Sequence, residues 1–181
     1  MPPEKQNKLD ESFPPVLAPT LKVINQLETE GLVERYCIGG SLALMNYCEA
    51  FRTDDLDLYC LIPQNSMLID LSPIYLYLER LGYKTSGEYL VVEGVKVRFL
   101  PPHGELSIEA TNAAVAVDVE GVLTRVCQYE YAIAMKVQAG RTKDWLHISL
   151  ALESAEPDMA KLEALLKKFG LFEKWSSRMN G

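Results

Sequence analysis

The sequence predicts one domain of the α/β (α+β) class: a mixed sheet with interleaved helices, followed by a helical C-terminal third. Three observations predict it. Short apolar runs of strand length recur between glycines and prolines as far as Val126. Between them lie stripes of apolar residues three or four apart, the spacing of a helix with one buried face. From Glu130 onward the pattern is helical throughout, and a chain of 181 residues that is 48% hydrophobic has material for one sizeable core.

Taken in order, residues 1–19 are polar and hold Pro2, Pro3, Pro14, Pro15 and Pro19, which predicts a flexible N-terminal arm that docks through Phe13 and Val16. The main domain is expected over residues 20–156, with residues 157–181 as a helical extension of it. A helix starts at Thr20 as N-cap, buries Leu21, Ile24 and Leu27, and stops at Gly31. A short strand follows at residues 35–38, closed by Gly39-Gly40, and Ser41 opens a helix with the stripe Leu44, Met45, Cys48 and Phe51. Residues 56–62 read as a strand stopped by Pro63, and residues 66–81 as a helix in which Pro73 implies a break or a late start near Ser72. Residues 88–92 and 95–100 form a hairpin across Glu93-Gly94, and residues 114–126 form another. The last third gives helices at residues 131–139, 143–153 and 158–169, then a short one after Gly170.

Composition narrows the function. The net charge is −7, from 25 acidic and 18 basic side chains, which argues against general nucleic-acid binding, since that needs clustered Lys and Arg to neutralise phosphates. No apolar run reaches the length that crosses a bilayer, and the N-terminus lacks the apolar core of a secretory signal, so a cytoplasmic protein without a membrane partner is expected. Cys37, Cys48, Cys60 and Cys127 form no C-x-x-C pair and read as buried free thiols.

The chemistry-bearing segment runs from Ile38 to Cys60. Two glycines after a strand let the backbone turn tightly and let an anion approach where no Cβ stands in the way. The helix that follows turns its N–H groups toward that anion, and Ser41 adds a hydroxyl. Further on, Asp55 and Asp57 lie two residues apart on a strand, so their carboxylates share a face, roughly 6–7 Å apart along the chain. Such a pair suits magnesium, a hard cation that takes carboxylates, water and substrate phosphates. Alone, Gly39-Gly40 is more often just a tight turn, and the two acids are equally a wet strand face. Together they supply a phosphate cradle and a metal-binding pair, the parts phosphoryl chemistry requires.

Gly39-Gly40-Ser41 with Asp55-Leu56-Asp57 resembles the signature of the nucleotidyltransferase superfamily, Gly-Gly-Ser followed by Asp-x-Asp. The stretch from Gly121 to Val126, the helix of Lys136 and the turn Arg141-Thr142-Lys143-Asp144 look closest to the minimal, toxin-type AbiEii-like branch. The resemblance implies a nucleotidyltransferase-like mixed sheet. It also implies Gly39, Gly40, Ser41 and Lys136 as nucleotide-binding residues, and Asp55 and Asp57 as catalytic ligands of Mg2+, with two ions allowed. The activity implied is transfer of an NMP group from a magnesium-bound NTP to a hydroxyl or phosphate acceptor, with a cognate antitoxin as protein partner. Lys136 is expected to face the nucleotide or to pair with Asp144; the structural alternative is a solvated corner of Lys136, Arg141, Lys143 and Asp144. Members of the superfamily place a third carboxylate on a later strand. Here Val95, Val97 and Phe99 form the buried face of that strand, and Arg98 stands where the acid is expected. Arg98 either pairs with Asp55 or Asp57 or binds a phosphate, and Glu93, Glu105 and Asp118 are the remaining candidates for a base. A catalytically degenerate domain that binds a nucleotide or a partner, and a plain scaffold, are the competing readings.

Overall fold

The computed structural model describes residues 17–48, 53, 55–63 and 69–179. Within them the chain runs α1 (Leu17–Thr29), β1 (Arg35–Ile38), α2 (Gly40–Met45), β2 (Asp55–Leu61), α3 (Ser72–Arg80), β3 (Lys84–Ser86), β4 (Tyr89–Val92), β5 (Val95–Leu100), α4 (Glu105–Asn112), β6 (Val115–Val119) and β7 (Val122–Val126). Four helices close it: α5 (Tyr129–Ala139), α6 (Thr142–Ser154), α7 (Met159–Lys168) and α8 (Phe172–Met179). The described strands form one sheet in the order β3-β4-β5-β2-β1-β7-β6. β1 runs antiparallel to β2 and parallel to β7, β2 runs parallel to β5, and the remaining neighbours are antiparallel hairpins. This is the mixed sheet with a helical C-terminal third that the sequence predicts.

The two faces of β2 explain the architecture. Leu56, Leu58 and Cys60 are buried and point with Tyr36 toward α1, whose Asn25 accepts the Tyr36 hydroxyl at 2.6 Å. α3 lies on this face too, with Tyr75 edge-on to Phe99 and Tyr77 hydrogen-bonded to Gln26. Asp55, Asp57 and Tyr59 occupy the opposite face, which α2, α4 and α5 cover only in part. α5 is buried from Tyr129 to Val137 all round its circumference and acts as the central post of the helical third.

Several boundaries differ from those the pattern suggests. α1 begins at Leu17, so Thr20 lies inside the helix. It is fully buried, and its hydroxyl donates to the Val92 carbonyl at 3.1 Å instead of capping. α3 begins at Ser72 with Pro73 in its first turn, where proline's missing N–H has no helical partner to lose. α4 has no counterpart in the sequence reading because its inward face carries Ser107 and Thr111. Both are buried, and both satisfy their hydroxyls on carbonyls of the preceding turn. The docking residues Phe13 and Val16, and Phe51 of the second stripe, lie outside the described residues. All four cysteines are buried free thiols. No helix among the described residues is long and apolar enough to cross a membrane.

Candidate active site

Gly39 and Gly40 link β1 to α2 beside β2. The Gly39 N–H donates to the Asp57 carbonyl at 2.8 Å, so the turn and the acidic strand are direct neighbours. The glycines are required by contact. A Cβ on Gly39 would lie 2.1 Å from the Tyr59 ring, and one on Gly40 would lie 2.5 Å from Asp57 Oδ2. Gly40 also has φ +59°, a left-handed conformation that disfavours residues with a Cβ.

The turn opens on a cleft of about 820 Å³, a volume within the range of small-molecule sites. Gly40, Ser41, Asp55, Asp57, Arg98 and Lys136 all line it, and so do Asp144, Arg141 and Lys143. The parallel register of β2 with β5 sets Asp55 beside Lys96 and Asp57 beside Arg98. Arg98 then grips Asp57 through two parallel hydrogen bonds, Nε to Oδ1 at 2.9 Å and Nη2 to Oδ2 at 3.1 Å. Its remaining amine reaches Glu88 at 3.2 Å, and the Tyr89 hydroxyl donates to Asp55 Oδ2 at 3.3 Å. The hydrogen bonds that Arg98 donates to Asp57 hold its guanidinium firmly in the charged form.

On the opposite wall, Lys136 rises from buried α5 with only 7% exposure. Its ammonium donates to Ser41 Oγ and to Asp144 Oδ1, both at 3.3 Å. Arg141 caps α6: its backbone N–H and its guanidinium both donate to Asp144, which lies three residues on. Burial pushes the Asp144 carboxyl upward, but the bonds from Arg141 and the charge of Lys136 outweigh it and hold the group below its usual range. Burial lowers the Lys136 ammonium, opposed by Asp144. His147 is 7% exposed, with Nδ1 2.9 Å from Ser41 Oγ. Burial and the charges of Lys136 and Lys143 push its pKa down to about 4.

Of the sequence-derived candidates all but Gly39 therefore line one cleft, with the nucleotide-facing and Asp144-pairing roles of Lys136 both open to it in one position. The candidate bases do not join them. Glu93 takes the Tyr83 hydroxyl at the β4–β5 turn, Asp118 accepts the Gly121 N–H in the β6–β7 turn, and Glu105 heads α4; none of the three lines the cleft. The carboxylates that do line it beyond the strand pair are Glu88 and Asp144. Glu88, Tyr89 and His147 escaped the sequence reading. His147 had one available signal, since it stands three residues beyond Asp144 and so shares its helix face.

The donor set suits a particular kind of metal. Two carboxylates on one strand face match the demand of a magnesium ion that arrives with nucleotide phosphates. Among the described residues no three His, Cys, Asp or Glu side chains are grouped to hold an ion by themselves.

The chain matches no family model and no curated protein. Among solved structures it is similar to an antigenic nucleotidyltransferase-like protein from Paracoccidioides brasiliensis, with a TM-score of 0.51 and 13% identity over 89% of this chain and 90% of that one. The fold is nucleotidyltransferase-like. Weaker likenesses reach the antibiotic-resistance factor ANT(2″)-Ia, in its solution structure (TM-score 0.47, 15% identity, 88% of this chain and 95% of that one) and in its crystal complex with adenylyl-2″-tobramycin (TM-score 0.46, 18% identity, 82% and 95%). In this nucleotidyltransferase-like fold the Gly-Gly-Ser turn, the Asp-x-Asp strand and the lysine-bearing helix all open on one cleft.

Proposed function

We propose that the cleft binds a magnesium-bound nucleoside triphosphate and transfers its NMP group to a hydroxyl or phosphate acceptor. The observation that carries this reading is the direct hydrogen bond from the Gly-Gly turn to the acidic strand, which brings a phosphate cradle and two carboxylates to one cleft with a cationic far wall. Gly40 leaves room for the phosphate chain, Lys136 meets its oxygens with Ser41 bonded beside it, and Asp55 with Asp57 hold the ion that accompanies it. That ion screens the charge that builds up on the leaving pyrophosphate. An acceptor oxygen bonds to the α-phosphorus as the bond to the bridging oxygen breaks, and its proton passes to a carboxylate or to water. The toxin-type context, with an antitoxin as partner, rests on the resemblance of residues 121–144. It predicts growth arrest on expression that Asp55→Ala relieves.

A second reading has its own observation. Both Asp57 oxygens are taken by Arg98, which favours a degenerate domain that binds a nucleotide without turning it over.

Calorimetric titration with magnesium–ATP and magnesium–GTP, followed by a pyrophosphate-release assay, tests both. Binding that Asp55→Ala and Asp57→Ala abolish, with pyrophosphate release, supports the enzyme. Binding without release, with release gained in Arg98→Asp, supports the degenerate domain. No binding at millimolar nucleotide sinks both readings.

A further inference from the structure

Four polar groups meet at the helical wall of the cleft. Lys136 Nζ lies 3.3 Å from Ser41 Oγ, 3.3 Å from Asp144 Oδ1 and 3.4 Å from His147 Nδ1, and Ser41 Oγ lies 2.9 Å from the same His147 nitrogen. An ammonium has three protons and no lone pair, so each of its neighbours has to accept. His147 Nδ1 is therefore the bare nitrogen of a neutral ring, with the ring proton on Nε2. Ser41 has one proton, and Nδ1 is its near acceptor. Ser41 Oγ thus accepts from Lys136 and donates to His147 Nδ1, a chain of hydrogen bonds that links α5, α2 and α6.

That chain matters because Ser41 and Lys136 are both flexible. A serine hydroxyl rotates freely, and a lysine ammonium on a four-carbon stem follows the strongest nearby charge, here Asp144. Fixing the Ser41 proton on His147 fixes the lone pair that Lys136 meets. Its ring is buried, with Lys136, Lys143 and Arg141 opposing a charge on it and Asp144 favouring one.

The geometry points to His147 as a positioning residue of the nucleotide site. By taking the Ser41 proton, its Nδ1 turns a Ser41 lone pair toward Lys136, which aims the remaining proton of the ammonium at the phosphate group. The inference rests on the triphosphate reading of the cleft.

Calorimetry of magnesium–ATP and magnesium–GTP binding to the whole chain tests it, using His147→Asn, His147→Gln and His147→Leu, each alone and with Ser41→Ala. The asparagine oxygen reaches the position of Nδ1, whereas the glutamine amide reaches that of Nε2 and leucine offers neither. His147→Leu and His147→Gln weaken Kd about tenfold, the loss of one well-placed polar contact. His147→Asn stays within about threefold of wild type. In the Ser41→Ala background His147→Leu adds little, because the hydroxyl it served is gone. Equal losses for Asn and Leu, or losses that add fully in the Ser41→Ala background, overturn the inference. Imidazole nitrogen shifts of the ligand-free wild type add a readout that needs neither nucleotide nor a folded variant. The Nε2–H ring supports the inference and the Nδ1–H ring overturns it. Wild-type protein that binds neither nucleotide while showing the Nε2–H ring overturns the nucleotide role of His147, along with the reading it rests on.

Discussion

Arg98→Ala is the perturbation that bears most directly on the acidic pair. Two unit charges about 4 Å apart attract by about 4 kcal/mol at the effective dielectric of a protein surface. The Arg98 and Asp57 side chains are 25% and 17% exposed, so desolvation and side-chain ordering offset much of that. A net of about 1–2 kcal/mol remains, and any cation that takes Asp57 has to displace it. Removing the guanidinium therefore raises the affinity of the pair for a divalent ion by about tenfold, since about 1.4 kcal/mol corresponds to a factor of ten. Manganese titration followed by electron paramagnetic resonance, without nucleotide, reads this directly. The gain should vanish when Asp57→Ala is added. Equal manganese affinity in wild type and Arg98→Ala, or a gain that survives Asp57→Ala, refutes the claim that Arg98 and the metal compete for one carboxylate.

Three further outcomes are expected. Gly40→Ala forces a Cβ into a left-handed backbone 2.5 Å from Asp57 Oδ2, so it should cost about 2–3 kcal/mol and lower the melting temperature by about 5–10 °C. Asp144→Asn strips the buried Lys136 of its counter-charge and should cost about 3 kcal/mol in urea unfolding, and adding Lys136→Met should recover part of that loss. The His147 pKa falls from 6.5 to about 4 on folding, so the unfolded chain binds more protons in that window. Its contribution to stability is therefore complete above pH 6.5 and lost as pH falls toward 4; His147→Asn should flatten the melting temperature over this range, and an unchanged slope would contradict the assignment.

The sequence made the strand pair legible because period two is the simplest pattern a chain can carry. Asp55 and Asp57 had to share a face once Leu56 and Leu58 were buried. The same logic carried Arg98 to the side of Asp57, since Val97 and Phe99 fixed the phase of β5. Pro73 likewise announced the start of α3. What stayed hidden depended on long-range meetings. Tyr89 reaches Asp55 only through the pairing of β4 with β5, and His147 meets Ser41 across 106 residues. α4 was hidden for a different reason, because half of its buried face is polar, Ser107 and Thr111 beside Leu106 and Ala110, and those hydroxyls satisfy themselves locally.

The hydrogen bond from Gly39 to Asp57 has a consequence for what the cleft admits. It fastens the two ends of the cleft floor to adjoining strands of one sheet, whose spacing of about 4.8 Å is set by backbone geometry and not by side chains. The floor works as a ruler. A polyanion that touches both the glycine turn and the carboxylates has to match a fixed interval, so any tailoring to its size falls to the helical wall of α5 and α6 and to the β3–β4 hairpin opposite. Evolution of this scaffold toward a new ligand is thereby channelled into those two edges, with the floor left as a standard of length.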